Sequence, residues 1–262
     1  MRLSDVFSLA FGSLASNWSR TALIALASAI GVSSVLLLTA LGEGASRYVL
    51  GQFASLGTNL LIVLPGRSET VGGPPPLLGE TPRDLTVDDA YSLLAHPSLK
   101  RVAPVMVGAA PVSTPNGLER EVNVFGTTAE LLDVQRLDMG RGRFLPIGDP
   151  KRGASVCVLG FELAKELFPG ENAIGRWVRV GDRRFRVIGA LANSGVTVGV
   201  DFNDIAIIPV ASAQALFNRE SLFRILVEAE SERDLGNGQR AIHRIIAERH
   251  EGEDDVTVIA QD

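Results

Sequence analysis

The sequence predicts an α+β fold: one N-terminal transmembrane helix with a stalk, then an extracytoplasmic split βαβ layer interrupted by an inserted, mostly β subdomain. Three observations carry this reading. Thr21 to Leu41 runs for 21 residues without a charge, a proline or an amide side chain. Beyond it, strand-like and helix-like segments alternate in the same order near residues 59–109 and again near 223–260. Between those two runs, residues 116–213 read mostly as short strands separated by turns.

As a helix, residues 21–41 would reach ~31 Å at ~1.5 Å per residue, the thickness of a bilayer's hydrocarbon core. Ala40-Leu41-Gly42 has the small-x-small spacing of a signal-peptidase site, but the apolar run is longer than the ~7 to 15 residues of a signal core, so retention as an anchor is expected. Before it, Leu3, Val6, Phe7, Ala10, Phe11 and Leu14 recur at three- and four-residue steps. Residues 1–20 therefore read as a cytoplasmic amphipathic helix in the membrane interface, turning into the span at Asn17. Trp18 and Arg20 suit the headgroup layer, one as an amphipathic ring and the other as a snorkelling cation. Arg2 and Arg20 precede the span and Arg47 follows it, a bias that places the N-terminus in the cytoplasm and the bulk of the chain outside it. Within the span, Ala27 and Gly31, with Ser34 close to the same face, form a candidate packing face for another helix, although small residues are common in any membrane helix.

Glu43 to Leu56 keeps Tyr48, Val49, Phe53 and Leu56 at helical spacing, so residues 42–57 read as a stalk helix continuing the span. Asn59 to Leu64 is a strand closed by Pro65-Gly66, and Val71 to Gly79 is a proline-rich loop. Thr86 to Ala95 opens with a capping threonine and an acidic first turn and is a helix, followed by a strand from Val102 to Ala109. The order returns downstream as a strand over Phe223 to Ala229, a helix over Glu232 to His250 and a strand over Val256 to Ala260. Residues 58–115 and 214–262 thus form one split α/β subdomain, and 116–213 the insertion. Its clearest element is a hairpin with Gly181-Asp182 as the turn and Val178, Val180, Phe185 and Val187 on one face. In that register Arg179 lies opposite Arg184 and Trp177 opposite Arg186. Like charges facing across a hairpin are unfavourable, which makes Arg179, Arg184 and Arg186 a candidate basic contact patch, with solvated surface the plainer alternative.

Catalytic chemistry is not legible. No G-x-x-x-x-G-K-[ST] cradles nucleotide phosphates and no G-x-S-x-G positions a nucleophile. Cys157 is the single cysteine and sits in an apolar run, where a core position is expected. His243 and His250 stand near Glu251, Glu253 and Asp254, a set better read as a solvated acidic loop than as a metal site. No cofactor, metal or catalytic residue is assigned. The net charge of -5 argues against a nucleic-acid partner.

Seven stretches follow one another in the order Leu56-Gly57-Thr58-Asn59-Leu60-Leu61, Leu85-Thr86, Gly142-Arg143-Phe144, Val158-Leu159-Gly160, Leu167-Phe168-Pro169-Gly170, Ile174-Gly175 and Val187-Ile188-Gly189. Together they resemble the permease subunit of macrolide-exporter-type ABC transporters, the MacB-like group within the FtsX-like permeases. Arg20 and Gly31 also match the pattern around the span, whereas Leu26-Ala27-Ser28 departs from its Leu-Gly-Ile. The resemblance implies a porter-like α/β subdomain with a β-rich insertion, lodged in the inner membrane with its main domain periplasmic. It also implies a non-catalytic permease, a homo- or heterodimer in contact with membrane lipid, moved by a separate ABC ATPase subunit and joined by a periplasmic adaptor. Family members continue into three further membrane helices, so a truncated product or a split permease with its remaining spans elsewhere is expected. An anchored interaction module that transmits motion to an extracytoplasmic partner, without transporting a substrate, is the alternative from another class. Protein extracted from membranes should retain its N-terminus when weighed by mass spectrometry. A product beginning at Glu43 would remove anchor, stalk and topology together.

Overall fold

The computed structural model describes residues 18–54, 59–66, 83–193 and 201–261. Residues 1–17 of the amphipathic helix expected over 1–20, the end of the stalk at 55–57 and the loop at 71–79 lie outside the described residues, while residues 18–20 open the long apolar helix. The chain divides into two compact units, Met1–Gly51 and Gln52–Asp262.

The first unit contains most of α1 (Trp18–Ala54), a helix of 37 residues. Its stretch Trp18–Ala40 is long and apolar enough to cross a membrane. Leu23, Ile30, Val35 and Leu38 are all exposed on it, and a helix apolar on every side suits lipid or another helix around it. Its one threonine in the last apolar turn is satisfied internally: Thr39 Oγ1 donates to the carbonyls of Val35 at 2.8 Å and Leu36 at 3.1 Å.

The second unit opens with β1 (Leu60–Pro65), then α2 (Val87–Ser92), which runs into a 3₁₀ turn at Leu93–Ala95, and β2 (Leu99–Ser113). The same order closes the chain as β9 (Arg224–Ala229), α6 (Leu235–Arg249) and β10 (Val256–Gln261). The four strands lie in the order β10-β1-β9-β2, every neighbour antiparallel. β9 is thus inserted between the parallel β1 and β2, and β1 between the parallel β9 and β10, so the two βαβ units interlock and neither closes its sheet alone. Alternation does the rest. Leu61, Val63, Ile225 and Val227 turn to one face, where they pack with Val87 and Ala90 of α2, Leu93 of the 3₁₀ turn and Ile242 and Ile246 of α6. Leu60, Ala103, Val105 and Leu226 turn to the other, against Leu131 and Val134 of the short α3 (Leu131–Val134).

β2 is longer than the strand expected over 102–109 and runs from Leu99 to Ser113 through two prolines. It pairs with β9 up to Val105 and, on its other edge, with β3 (Glu119–Thr127) from Met106 onward. The carbonyl of Val105 accepts from Phe223, so Pro104 directs its missing donor to the edge where β3 has not yet begun. Pro111 faces the hairpin turn instead, where its carbonyl accepts the Gly181 N–H at 2.9 Å. Each proline meets an interruption in the neighbouring ladder, and one strand of 15 residues serves both halves of the domain.

From β3 the sheet continues through β8 (Ile205–Pro209), β5 (Val156–Leu159), β7 (Arg183–Leu191) and β4 (Met139–Gly142), while β6 (Trp177–Val180) bridges β2 and β7. Helices α4 (Phe161–Leu167) and α5 (Val210–Phe217) are also present, and position 213 falls inside α5. Cys157 is fully buried, and burial pushes its thiol well above the usual range. Gly142 and Gly189 are register partners at the β4–β7 edge. A Cβ on Gly189 would stand 2.3 Å from the Arg143 carbonyl oxygen, and one on Gly142 2.3 Å from that of Ile188, so the two glycine motifs read in the sequence accommodate each other's backbone.

The solvated acidic loop expected around His250 is a correction. Glu251, Glu253 and Asp254 are exposed, and Asp254 meets His243 at 2.8 Å, but His250 and Asp255 are buried. His250 lies between two carboxylates, Nδ1 at 2.7 Å from Asp255 Oδ1 and Nε2 at 3.4 Å from Asp89 Oδ2. Asp89 also accepts from Arg249 Nε at 2.6 Å and from the Thr86 backbone at 2.9 Å, the latter as the second half of a capping box on α2. Burial alone would raise the Asp89 carboxyl, but donors from Thr86, Arg249 and His250 outweigh it and hold the group below the usual aspartate value. Among the described residues no group of three His, Cys, Asp or Glu side chains is disposed to hold a metal ion.

Asp89→Asn should therefore cost about 3 kcal/mol, because it leaves Arg249 and buried His250 facing an uncharged partner. Urea titration of the full chain in a Trp18→Phe background, followed by Trp177 emission, should show a lower midpoint with an unchanged slope. The stability contributed by the ionised Asp89 is present above the unfolded aspartate value and is lost as pH falls through the lower folded one, so the variant should also show a shallower acid limb. A midpoint within experimental error of the parent would remove the clamp from the account.

Candidate functional site

The β6–β7 hairpin builds the site. Gly181 adopts φ +58 while Asp182 stays at negative φ, the pattern of a type II′ turn, and the register pairs Val178 with Phe185, Arg179 with Arg184 and Trp177 with Arg186. Val178, Val180, Phe185 and Val187 are buried, as the alternation requires. The Val187 N–H donates to the Arg176 carbonyl, which fixes the parity of the ladder: Arg179 and Arg184 form a non-hydrogen-bonded pair, the kind with Cα atoms only ~4.5 Å apart.

On the far side of β6, Arg179 stands opposite Ser113 of β2. Ser113, Arg179 and Arg184 therefore form a row across three strands on the outer face. That row lies in a groove of about 800 Å³ completed by Thr114, Ser155 and Trp177. Trp177 is 50% exposed, so part of its ring is open to the groove.

The other basic side chains nearby are engaged. Arg183 donates to the Ala215 carbonyl at 3.0 Å, Lys151 pairs with Asp88 at 2.6 Å, and Arg176 with Glu171 at 3.1 Å. Arg186 turns its Nε toward the Gly175 carbonyl at 3.4 Å and does not line the groove. Among the described residues no carboxylate pairs with Arg179 or Arg184. The acids on the same face, Glu119 and Glu121 of β3, have β2 between them and β6 and so stand about two strand spacings, ~9.5 Å, from Arg179. The structure thus divides the expected basic patch: it brings Arg179 and Arg184 together and sets Arg186 aside. Ser113, Thr114 and Ser155 were missed by the sequence reading, since hydroxyl residues at strand ends carry no local signal of a groove. Thr114 Oγ1 donates to the Leu118 carbonyl, which leaves two unpaired guanidinium groups, the hydroxyls of Ser113 and Ser155 and an open indole; these can bind an anion but hold no nucleophile–base pair.

The remaining sequence-derived positions lie on α1. Trp18 and Arg20 occupy its first turn and are exposed. Ala27, Gly31 and Ser34 fall at helical spacing on one face, also exposed, and a Cβ placed on Gly31 would meet nothing within 4 Å.

Comparison with known proteins gives a consistent picture. Residues 21–245 match the model of the MacB-like periplasmic core domain. The macrolide export ATP-binding/permease protein MacB of Rhodospirillum rubrum is 32% identical over 249 residues, 94% of this chain and 37% of that protein. The pyoverdine export ATP-binding/permease protein PvdT of Pseudomonas putida is 31% identical over 242 residues, 91% of this chain and 36% of that protein. The chain thus spans less than two fifths of the length of these relatives. The crystal structure of the periplasmic region of MacB from Actinobacillus actinomycetemcomitans superposes with a TM-score of 0.68 at 21% identity, covering 80% of this chain and 92% of that one. The extracellular domain of the noncanonic ABC-type transporter YknZ from Gram-positive bacteria gives 0.63 at 18% identity, covering 77% and 100%. The mixed α+β fold expected from the sequence is the fold of these domains.

The facing arginines make a prediction whose sign is opposite to that of most substitutions. Arg184→Glu turns a repulsive cross-strand pair into an attractive one and should stabilise the domain by about 0.5 kcal/mol, with the gain shrinking as salt is added. Thermal melts of parent and variant at low and raised ionic strength would show it. A destabilised variant would mean that something else already neutralises Arg179.

Proposed function

This chain belongs to the MacB-like periplasmic core domain family, and we propose that it is the first membrane span and periplasmic core of an ABC-type exporter or extractor permease. In this reading α1 crosses the inner membrane with its N-terminus in the cytoplasm, Trp18 and Arg20 sit in the headgroup layer, and the sheet domain stands in the periplasm. The domain is non-catalytic. ATP hydrolysis comes from an ATPase domain or chain outside residues 1–262, because no segment here has the backbone amides and lysine of a phosphate loop at motif spacing. A periplasmic adaptor would complete the assembly.

One observation carries the mechanical half of the proposal. The apolar helix leads within six residues into β1 of the split layer, and β2 of that layer continues unbroken into the inserted half. A displacement imposed on α1 thereby has a covalent route into the sheet, and a continuous ladder spreads it across both halves without a hinge at β2. Transport substrates named for the relatives, macrolides and pyoverdine, define the class of cargo to test first.

The test is purification of the full chain from its native membranes in mild detergent. An ABC ATPase and a further set of apolar spans should be found in the same particle, with ATP turnover that the chain alone lacks. A particle containing an extracytoplasmic partner but no ATPase would instead support an anchored interaction module. Within α1, Ala27, Gly31 and Ser34 are proposed to meet another membrane helix. Gly31→Ile should lower the yield of interhelical cross-links several-fold by holding the backbones apart, whereas an unchanged yield would assign that face to lipid.

A further inference from the structure

We propose that the groove at Arg179, Arg184 and Trp177 is a binding site for a phosphate monoester joined to an aromatic or apolar body. The inference does not rest on the permease reading, so either can fail without the other.

The charge argument comes first. Arg179 and Arg184 face each other on adjacent strands with no carboxylate on either, in a chain whose net charge is -5. Acids are abundant in this protein and every other arginine around the hairpin has a partner, so the bare pair stands apart from its surroundings. Two guanidinium groups on strands about 4.8 Å apart can converge on one tetrahedral group. A phosphate monoester carries a charge near ~-2 at neutral pH and so matches two cations, whereas a carboxylate would neutralise one. Hydroxyls from Ser113 and Ser155 lie in the same groove as additional donors, while that of Thr114 donates to the Leu118 carbonyl.

The aromatic half follows from Trp177. It occupies the same outer face one pair further along the hairpin, opposite Arg186, and half of its surface is open. A half-exposed indole beside a cationic pair offers stacking to the body of a ligand whose phosphate is held by the arginines. The groove, about 800 Å³, is large enough for both parts of such a ligand.

The chain has two tryptophans, so a Trp18→Phe background leaves Trp177 as the sole reporter. The experiment uses the full chain in detergent and 4-nitrophenyl phosphate as the probe, with 4-nitrobenzyl alcohol as its neutral counterpart. The phosphate ester should quench Trp177 saturably and the alcohol should not, and the effect should weaken with added salt. Arg179→Gln and Arg184→Gln should each weaken binding about tenfold, consistent with loss of one charge-assisted hydrogen bond, while Arg240→Gln on α6 should leave it unchanged. Far-UV circular dichroism would establish that the variants fold, and Ser113→Ala gives a milder probe of the same row. Displacement by inorganic phosphate would mark the natural ligand as soluble, and displacement only by dihexanoyl phosphatidic acid would mark it as a lipid headgroup. The proposal is overturned if quenching does not saturate, if the alcohol binds as well as the ester, or if the Arg179→Gln/Arg184→Gln double variant binds like the parent.

Discussion

Everything in the sheet domain depends on two βαβ units closing around each other although more than a hundred residues of chain separate them. The buried contact that makes the closure specific is His250 held between Asp89 and Asp255, with Arg249 on the free oxygen of Asp89. Apolar burial drives the two halves together, but it is non-directional and would tolerate sliding of α6 along α2. An imidazole with a carboxylate at each ring nitrogen fixes the position of α6 against α2, and a buried polar cluster of this kind is tolerable only where its members are paired. Asp89 is also the residue that completes the capping box of α2, so the start of the first helix and the end of the last are fixed by the same carboxylate.

The second constraint is the length of β2. A split layer that ended at Val105 would present an open edge, and the inserted half would hang from it by two loops. Because β2 continues, changing partner from β9 on one edge to β3 on the other, the interruption in the chain is not an interruption in the sheet. Pro104 and Pro111 sit where no neighbour requires a donor, so they do not weaken the strand; they deter any additional partner from pairing there. The closing of the core on both sides follows from alternation alone once this register is set.

Local periodicity explains what the sequence revealed. The apolar span, the capping box at Thr86, the two strand–helix–strand runs and the hairpin register through Arg179 and Arg184 all depend on residues within a few positions of one another. What stayed hidden depends on contacts across the chain. His250 looked solvated because its local neighbours Glu251, Glu253 and Asp254 are, while the partner that buries it lies 161 positions earlier. β2 looked short because its continuation past Ala109 runs through Pro111, whose place in the ladder depends on the Gly181 turn on the adjacent edge. The arginine patch was legible as a pair, since register is local, but not as a groove, because Ser113, Thr114 and Ser155 arrive from strands whose order is a property of the whole sheet.

The two charged features of the domain handle the same difficulty in opposite ways. At Asp89 and Asp255, two carboxylates are brought close in a buried place and are met within the protein, by a histidine and an arginine that folding delivers to them. At Arg179 and Arg184, like charges are brought close on an outer face and the protein supplies nothing, although Glu119 and Glu121 stand only two strands away on the same surface. A chain with more acids than bases could relieve that pair with a single substitution and be more stable for it. The first arrangement makes sense as architecture, since its interactions are complete once the fold is formed. The second is complete only when an anion arrives, and that distinction is the physical ground for treating the hairpin face as a site and the histidine cluster as a fastening.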